Sequence, residues 1–337
     1  MTNEITRQIG IVLNNFNAIE DLTYEEELWK RFMNFHWQAR RPIVLNKFDV
    51  SQEQFEEWRE QLDRCGKEHA EYDPKAGKIV FKADHCPVKR ILRAVMNQWI
   101  SELERRLRTS TGNDFRFNPT DGFRLSGPYE GHVQTTFVHL RRGDQAYPTL
   151  VVEIAFTEPT ETLFQRAKMW LEGTKDTTQL VILIDIKERR APSKNSKHVK
   201  QDDKMWGVTD EEIALRLHAF WPMYHHIMYW YYENKLPLTG RFTVSMYVWG
   251  SHMAKPDKIW ECDFPSDHTK PAVEHRENAV GSESEFCFYG IKTLFPIEQL
   301  KRETWKAMRF WSYERAANFA VEKLKELGLP ITGYVRG

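Results

Sequence analysis

The sequence predicts an α/β protein in which helices cover a mixed β-sheet. The segment after Pro87 carries apolar residues at helical spacing, with arginine and lysine on the opposite face. Residues 150–156 place apolar side chains on both faces of a strand, and residues 179–186 form the continuous apolar run of a strand covered on both faces. A helix joins these two strands, and such a crossover is right-handed, so the strands should run parallel.

Length and composition favour a folded protein. The chain has 337 residues, of which 41% are hydrophobic and 13% aromatic, which is enough for a sizeable core and excludes a disordered chain. Lysine plus arginine and aspartate plus glutamate each number 48, so the formal net charge is zero. No overall positive field is therefore available for nucleic-acid binding, and any such contact must come from a local patch.

Cysteine spacing and apolar segments indicate the compartment. The four cysteines have neither the paired spacing of a zinc site nor the density of a secreted disulfide scaffold, so reduced thiols are expected. The first 14 residues mix charged and apolar side chains without a continuous apolar core. No stretch reaches the roughly 20 apolar residues of a membrane span. We therefore expect an intracellular protein, cytoplasmic or nuclear, without a membrane partner.

The amino-terminal part is predicted to be helical and then to change to strands. Residues 1–66 carry aromatic and leucine side chains at helical spacing and should form a helical cap. Residues 70–82 place a turn between two short strand-like runs, which is typical of a β-hairpin. The long helix should begin after Pro87 and end near Gly112, where the apolar stripe stops.

Three strands, a helix and a fourth strand are predicted after this long helix. The strands cover residues 114–117, 133–140 and 149–156, the helix covers residues 160–171, and the last strand covers residues 179–186. Turn-forming sequences separate the first strands from one another. The predicted core therefore has the order helix, three strands, helix, strand, and it falls within residues 67–190.

Residues 191–337 are predicted to add strands and helices that pack on this core in one compact domain, although a boundary between residues 190 and 205 stays open. An aromatic segment at residues 220–232 favours helical core packing over a platform that stacks nucleic-acid bases. Further elements are expected from periodicity: strands at residues 242–249, 258–264 and 286–291, and a closing helix at residues 297–327.

The central strand of the predicted core contains one acidic residue, Glu153. Because its neighbours make both faces of the strand apolar, its carboxylate should be buried. A buried carboxylate without a partner costs several kcal/mol or becomes protonated, so a cation, hydrogen-bond donors or a metal ion must accompany it. Two interpretations stay open: a structural glutamate, paired for example with Lys168, or a metal ligand.

Several stretches of the sequence together resemble a known family. They are 71–74 with 78–80, His85 at the start of the long helix, 147–154 around Glu153, and 163–171. Over residues 65–190 they resemble the Uma-type branch of the PD-(D/E)XK nuclease superfamily, particularly its fungal relatives. The resemblance implies a restriction-endonuclease-like fold, with the predicted core and with helical additions at both ends.

The resemblance also implies a metal site with a degenerate motif. In that superfamily an aspartate on one strand and a glutamate on the next hold Mg²⁺, and a lysine two residues later helps to activate water. Glu153 matches the glutamate, whereas Gln134 stands at the aspartate position and Ala155 at the lysine position. An amide binds Mg²⁺ more weakly than a carboxylate, and alanine cannot assist a water molecule. We therefore expect weak Mg²⁺ binding and impaired or lost cleavage.

Displaced residues offer a possible replacement for the missing motif residues. If the strand extends backwards, Glu130, His132 and Gln134 share one face, so Glu130 or His132 could act as a metal ligand beside Glu153. Lys168, one turn after Phe164 on the next helix, could replace the missing lysine. Exposed polar side chains are the competing interpretation for each of these substitutes.

The densest basic stretch, residues 187–204, leaves the end of the last core strand. Its Lys194, Lys197 and Lys200 are candidate contacts to phosphate, and a solvated loop is the alternative. Two function classes follow. The first is a nuclease-fold protein with impaired or lost cleavage that still binds nucleic acid. The second is a non-catalytic protein-interaction, effector or regulatory module that uses the same fold as a scaffold.

Overall fold

The structure is a computed structural model, and it describes residues 43–45, 51–53, 55, 70–76, 78–81, 87–118, 122–189, 206–266, 273–275 and 285–331. Most of the predicted helical cap, residues 1–66, lies outside the described residues. Within it, Ile43–Leu45 forms a strand, which corrects the helical prediction at this position. The reason is pairing, because these apolar residues lie antiparallel to Lys78–Phe81.

The described part of the chain contains five α-helices. In chain order they are α1 (Pro87–Thr111), α2 (Thr160–Gly173), α3 (Asp210–Arg216), α4 (Phe220–Glu233) and α5 (Ile297–Glu326). Helices α1, α2 and α5 fall where the apolar periodicity predicts them. Within the described ranges, no helix is both long and apolar enough to cross a bilayer.

Fourteen strands are seen in the described residues. They are β1 (Ile43–Leu45), β2 (Ala70–Asp73), β3 (Lys78–Phe81), β4 (Phe115–Asn118), β5 (Gly122–Arg124), β6 (Val133–Thr135), β7 (Val138–Arg142), β8 (Leu150–Phe156), β9 (Leu180–Arg189), β10 (Arg241–Gly250), β11 (Asp257–Phe264), β12 (Val273–His275), β13 (Glu285–Phe288) and β14 (Ile291–Leu294). The smaller sheet has the order β1-β3-β2-β6-β5, and the larger has the order β12-β11-β10-β9-β8-β7-β4. Strands β13 and β14 form a separate hairpin.

The predicted order of core elements is present as α1, β4, β7, β8, α2 and β9. Strand β7 pairs antiparallel with β4 on one side and with β8 on the other, with Val138 opposite Val152. Strand β9 lies beside β8, and the amide N–H groups of Gln179 and Leu180 donate to the carbonyl of Thr149. Because both strands begin at the same edge, they run parallel. The fold is therefore mixed α/β with a mixed sheet.

One predicted strand, residues 133–140, is two strands in different sheets. Strand β6 pairs with β2 and β5 in the smaller sheet, whereas β7 pairs with β4 and β8 in the larger one. The chain changes sheets at Thr136 and Phe137. Residues 133–140 contain neither glycine nor proline, so the usual sequence signal of a strand end is missing.

A second predicted strand, residues 286–291, is confirmed in part, because it covers residues 286–288 of β13 but continues through the turn at Tyr289 and Gly290 to the first residue of β14. Tyr289 and Gly290 have φ angles of 49° and 77°, the left-handed geometry of the tight turns that reverse a β-ribbon. Strand β9 also differs from its prediction, because it extends through Arg189 into the segment predicted to be a basic loop.

The described residues divide into two compact units. The first comprises residues from Met1–Asp185, Ser245–Ile259 and Glu277–Ile297, and the second comprises residues from Ile186–Val244, Trp260–Arg276 and Glu298–Gly337. The second unit thus begins near the boundary left open in the sequence, although residues 245–259 and 277–297 return to the first.

Each unit has its own apolar core. In the first unit, α1 packs on β4, β7 and β8 and buries an apolar stripe that includes Leu92, Met96 and Leu103. In the second unit, α4 and α5 share a cluster with Phe220, Ile227 and other buried residues: Ile213, Met223, Ala316, Ala320 and Leu324. The candidate site lies in the first unit.

Candidate functional site

The candidate site is built around strand β8, which is inaccessible to solvent along its whole length. All seven residues from Leu150 to Phe156 are buried, and Glu153 has no exposed surface. Strands β7 and β9 flank β8, so its backbone polar groups are used within the sheet. The Glu153 carboxylate must therefore be satisfied by side chains that approach from one face of the sheet.

Helix α2 supplies the partners of Glu153. Trp170 donates its indole Nε1–H to Oε1 of Glu153 at 2.9 Å, and Nε of Arg166 lies 3.5 Å from Oε2. Arg166 and Trp170 are four residues apart, so they lie one above the other on the helix face that meets the sheet. The buried stripe Leu163, Ala167 and Trp170 fixes that face against β8.

A second buried carboxylate lies on the other side of Arg166. Nη1 of Arg166 is 2.6 Å from Oε2 of Glu158, and Nζ of Lys89 is 3.2 Å from Oε1 of the same residue. Burial raises the pKa of Glu158, but the opposite effect of Arg166 and Lys89 together is larger, so the pKa falls to about 2. Glu158 is therefore ionised at neutral pH and is held between two cations.

Arg166 is surrounded by carboxylates. Burial lowers the pKa of its guanidinium, but Glu158, Glu153 and Glu71 together raise it above its ordinary value. Glu71 also accepts a hydrogen bond from the backbone N–H of Thr135 at 3.4 Å. Arg166 is thus permanently charged and acts as the counter-cation of this cluster.

The oxygens of Glu153 do not fit the Mg²⁺ site that the resemblance implies. One oxygen accepts the Trp170 hydrogen bond, and the other faces Arg166. A divalent ion between Glu153 and Glu158 would have to displace a buried guanidinium. Among the described residues, no group of three or more histidine, cysteine, aspartate or glutamate side chains is arranged to hold a metal ion.

His139 on β7 belongs to the same layer, and sequence reasoning missed it. It lies opposite Val151, so it shares the sheet face of Glu153, and it is fully buried. Its Nδ1 is 3.0 Å from Oγ1 of Thr136, and its ring lies edge-on to Phe123 at 5.1 Å. Burial, and then Arg141, lowers the pKa of His139 to about 3, so it is neutral. The sequence could have placed His139 on the face of Glu153 only if β7 had been predicted to begin at Val138.

The two motif positions that the resemblance identified are both buried. Ala155 packs in the apolar cluster beneath α2, on the same face of β8 as Glu153. Gln134 lies in β6 of the smaller sheet, opposite Phe123. The predicted single strand would have placed Gln134 beside β8, and the sheet change at Thr136 is the reason that it lies elsewhere.

The proposed substitute ligands do not join Glu153. The common strand face of Glu130, His132 and Gln134 requires the strand to extend backwards, but β6 begins at Val133 and the two other residues lie before it. Glu130 is exposed, and Nε2 of His132 lies 3.4 Å from Oδ1 of Asp73. Burial lowers the pKa of His132, although Asp73 acts in the opposite direction.

The predicted lysines lie away from this cluster or outside the described residues. Lys168 is half exposed on α2, and its Nζ is 3.6 Å from Oε1 of Glu172. It lies two residues from Arg166, which turns it to the opposite side of the helix, so Arg166 and not Lys168 accompanies Glu153. Lys194, Lys197 and Lys200 lie outside the described residues.

A different surface is present in the second unit, on helix α4. Part of its aromatic segment packs into the core as predicted, including Phe220 and Tyr224. Trp221, Tyr229 and Tyr232 instead expose 50%, 63% and 78% of their surface, which is a large apolar area to leave in water.

Comparisons with known proteins give no family. A search against protein-family models finds no match, and a search of curated proteins also finds none. The chemistry of the buried cluster is therefore the basis on which a function can be argued.

Proposed function

We propose that this chain has a PD-(D/E)XK-like core that has lost metal-dependent phosphodiester cleavage and that it now acts by binding. The observation that carries the proposal is the guanidinium of Arg166, which contacts both Glu153 and Glu158. An arginine in this position neutralises the carboxylates permanently, whereas a catalytic metal site must keep carboxylate oxygens available to the ion.

The element order supports the fold part of this proposal. Helix α1, strands β4, β7 and β8, helix α2 and the parallel strand β9 occur in the order of a restriction-endonuclease-like core, with β5 and β6 of the smaller sheet inserted between β4 and β7. The β7–β8 pairing ends at Val138 opposite Val152, and β7 contains no aspartate or glutamate. The neighbouring strand therefore offers no second carboxylate to a metal ion beside Glu153.

Cleavage assays test the loss of catalysis. The protein is incubated with single-stranded and double-stranded DNA and RNA in the presence of Mg²⁺ or Mn²⁺, beside the variant Glu153→Gln. We expect no cleavage above that of the variant, because losing the metal ion removes several kcal/mol of transition-state stabilisation. Mg²⁺-dependent cleavage by the natural protein that Glu153→Gln abolishes would refute the proposal.

Nucleic acid is the first candidate ligand. The formal net charge is zero, so binding would depend on a local patch, and the basic stretch with Lys194, Lys197 and Lys200 is the candidate. Fluorescence anisotropy with labelled DNA and RNA should show affinity that falls with salt. Charge reversal at these three lysines should weaken binding and reduce the salt dependence.

A protein-interaction module is the second candidate, and the exposed aromatic side chains of α4 favour it. Trp and Tyr are enriched where proteins bind each other, and residues 217–232 carry no lysine or arginine to contact phosphates. Absence of DNA and RNA binding at low salt would favour this candidate over the first.

A further inference from the structure

The exposed large apolar side chains are concentrated in the second unit. The described residues contain seven of them: Leu215, Trp221, Tyr229, Tyr232, Leu294, Phe310 and Tyr313. All except Leu294 lie on helices α3, α4 and α5 of the second unit. Exposed large apolar side chains that are concentrated in one unit indicate an interaction surface more often than scattered ones do.

Four residues of α4 form one continuous stripe, which we call the α4 stripe: Trp221, His225, Tyr229 and Tyr232. They are spaced by four, four and three residues, so they line one side of the helix. The opposite side, with Phe220, Met223 and Ile227, is buried in the unit's core. The rings of Trp221 and His225 stack at 5.9 Å with 27° between their planes, which holds the stripe in a defined shape.

Helix α5 extends this surface beside α4. The ring of Tyr224 lies 5.7 Å from that of Trp221. Burial, and then Tyr313 and Glu314 of α5, raise the pKa of the Tyr224 hydroxyl. Tyr313 is 49% exposed, so exposed aromatic side chains occur on both helices of this core.

The charge around the stripe limits what can bind it. From Leu217 to Tyr232 the sequence has no aspartate, glutamate, lysine or arginine. A single-stranded nucleic acid would need cations to follow its phosphates, and α4 offers none. Along the sequence, the nearest charged residues are exposed and flank this uncharged segment: Arg216 precedes the helix, and Glu233 ends it.

We propose that the α4 stripe binds the α4 stripe of a second copy of this chain in a two-fold symmetrical contact. In such a contact each surface meets itself, so charged residues in it would repel, whereas an uncharged aromatic stripe does not. Antiparallel α4 helices would also bring Arg216 of each copy towards Glu233 of the other. The zero net charge of the chain removes long-range repulsion between copies. This inference rests on the second candidate function, because it names the partner of the same α4 surface, and it does not depend on the loss of cleavage.

Sedimentation velocity of the full chain tests the proposal, over protein concentrations from about 1 to 100 μM. We expect a concentration-dependent dimer. Tyr229→Glu should weaken dimerisation by about tenfold or more, because it places two like charges in a desolvated contact. Leu294→Glu is the matched control, since it adds the same charge at an exposed apolar residue of the first unit, and it should leave dimerisation unchanged.

A covalent test avoids dependence on how the glutamate variant folds. In an antiparallel contact the middle of the α4 stripe lies near the symmetry axis, so His225→Cys should form a disulfide between copies under mild oxidation. The variant is made together with Cys287→Ser, because Cys287 is exposed, and Cys287→Ser alone is the control. A monomer at every concentration, or a dimer that Tyr229→Glu does not weaken, would overturn the proposal. If the protein is a monomer, the α4 stripe would have to bind a different protein.

Discussion

At the scale of single residues, the guanidinium of Arg166 holds the buried cluster together. Replacing it by methionine keeps most of the side-chain volume but leaves Glu153 and Glu158 with fewer counter-charges. Removing one partner of a buried ion pair costs about 3–5 kcal/mol. We therefore expect Arg166→Met to lower the free energy of unfolding by about this amount, measured by urea denaturation at neutral pH.

Lys168→Met provides the control for this measurement. Lys168 lies on the same helix and its side chain is 52% exposed, paired only with Glu172 on the surface. Exposed ion pairs contribute about 0–1 kcal/mol, so this variant should unfold close to the natural protein. If both variants lost the same free energy of unfolding, the loss would come from a general effect of substitutions in helix α2 and not from the buried charge of Arg166.

Glu158 should make stability depend on acidity. Its pKa in the folded protein is about 2, against an ordinary value of 4.5, because the effect of Arg166 and Lys89 exceeds that of burial. The unfolded chain therefore binds more protons between these values, so the contribution of Glu158 is complete above pH 4.5 and is lost as the pH falls towards 2. The shift corresponds to at most about 3 kcal/mol.

Urea denaturation from about pH 7 to about pH 3 measures this dependence. Glu158→Gln should lower stability at neutral pH and flatten the fall in acid. Glu172→Gln, whose side chain is 45% exposed, should follow the natural protein at every pH. An unchanged acid slope in Glu158→Gln would show that other groups carry the pH dependence.

The sequence could predict that Glu153 needs a partner, but it did not identify Arg166. The signal was present, because Arg166 lies one turn before Trp170 on the apolar stripe that defines the buried face of α2. The sequence offers Lys168 as a structural partner of Glu153, and the resemblance adds the role of a displaced lysine, but Lys168 is half exposed and paired with Glu172. Helical spacing would have given the better answer.

At the scale of elements, prediction succeeded where the apolar pattern is long. The long apolar stripe of α1 fits only a helix, and the continuous apolar run of β9 fits a buried strand. Strands β6 and β7 could not be separated, because both are short and the residues between them are not turn formers. Helix α3 was missed, although Thr209 and Glu212 form a capping box that the sequence contains.

Strand β8 should be the slowest part of the sheet to exchange its amide hydrogens. All its residues are buried, and its neighbours on both sides are strands of the same sheet. Exchange there requires cooperative unfolding, whereas edge strands open locally. Hydrogen-exchange mass spectrometry should give peptides of β8 the highest protection, with lower protection for the edge strand β4. Faster exchange in β8 than in β4 would contradict this central position.

At the scale of the whole molecule, the described residues form two compact units, and the first is discontinuous in sequence. Residues 245–259 and 277–297 belong to the first unit although they follow residues 186–244 of the second. One compact domain with peripheral additions stays a prediction from the sequence. Local periodicity predicts individual elements but carries no information about which distant elements will pack together.

The short connection between β6 and β7 restricts insertions at this point of the chain. Only Thr136 and Phe137 lie between β6 and β7, so Thr135 and Val138 can be separated by at most about 11 Å. If one residue were inserted here and the pairing of β7 shifted by one position to absorb it, every side chain of β7 would move to the opposite face. His139 would then turn towards α1, and Leu140 would face the charged cluster. Related chains can therefore vary in length more easily in the surface turns than between these two strands.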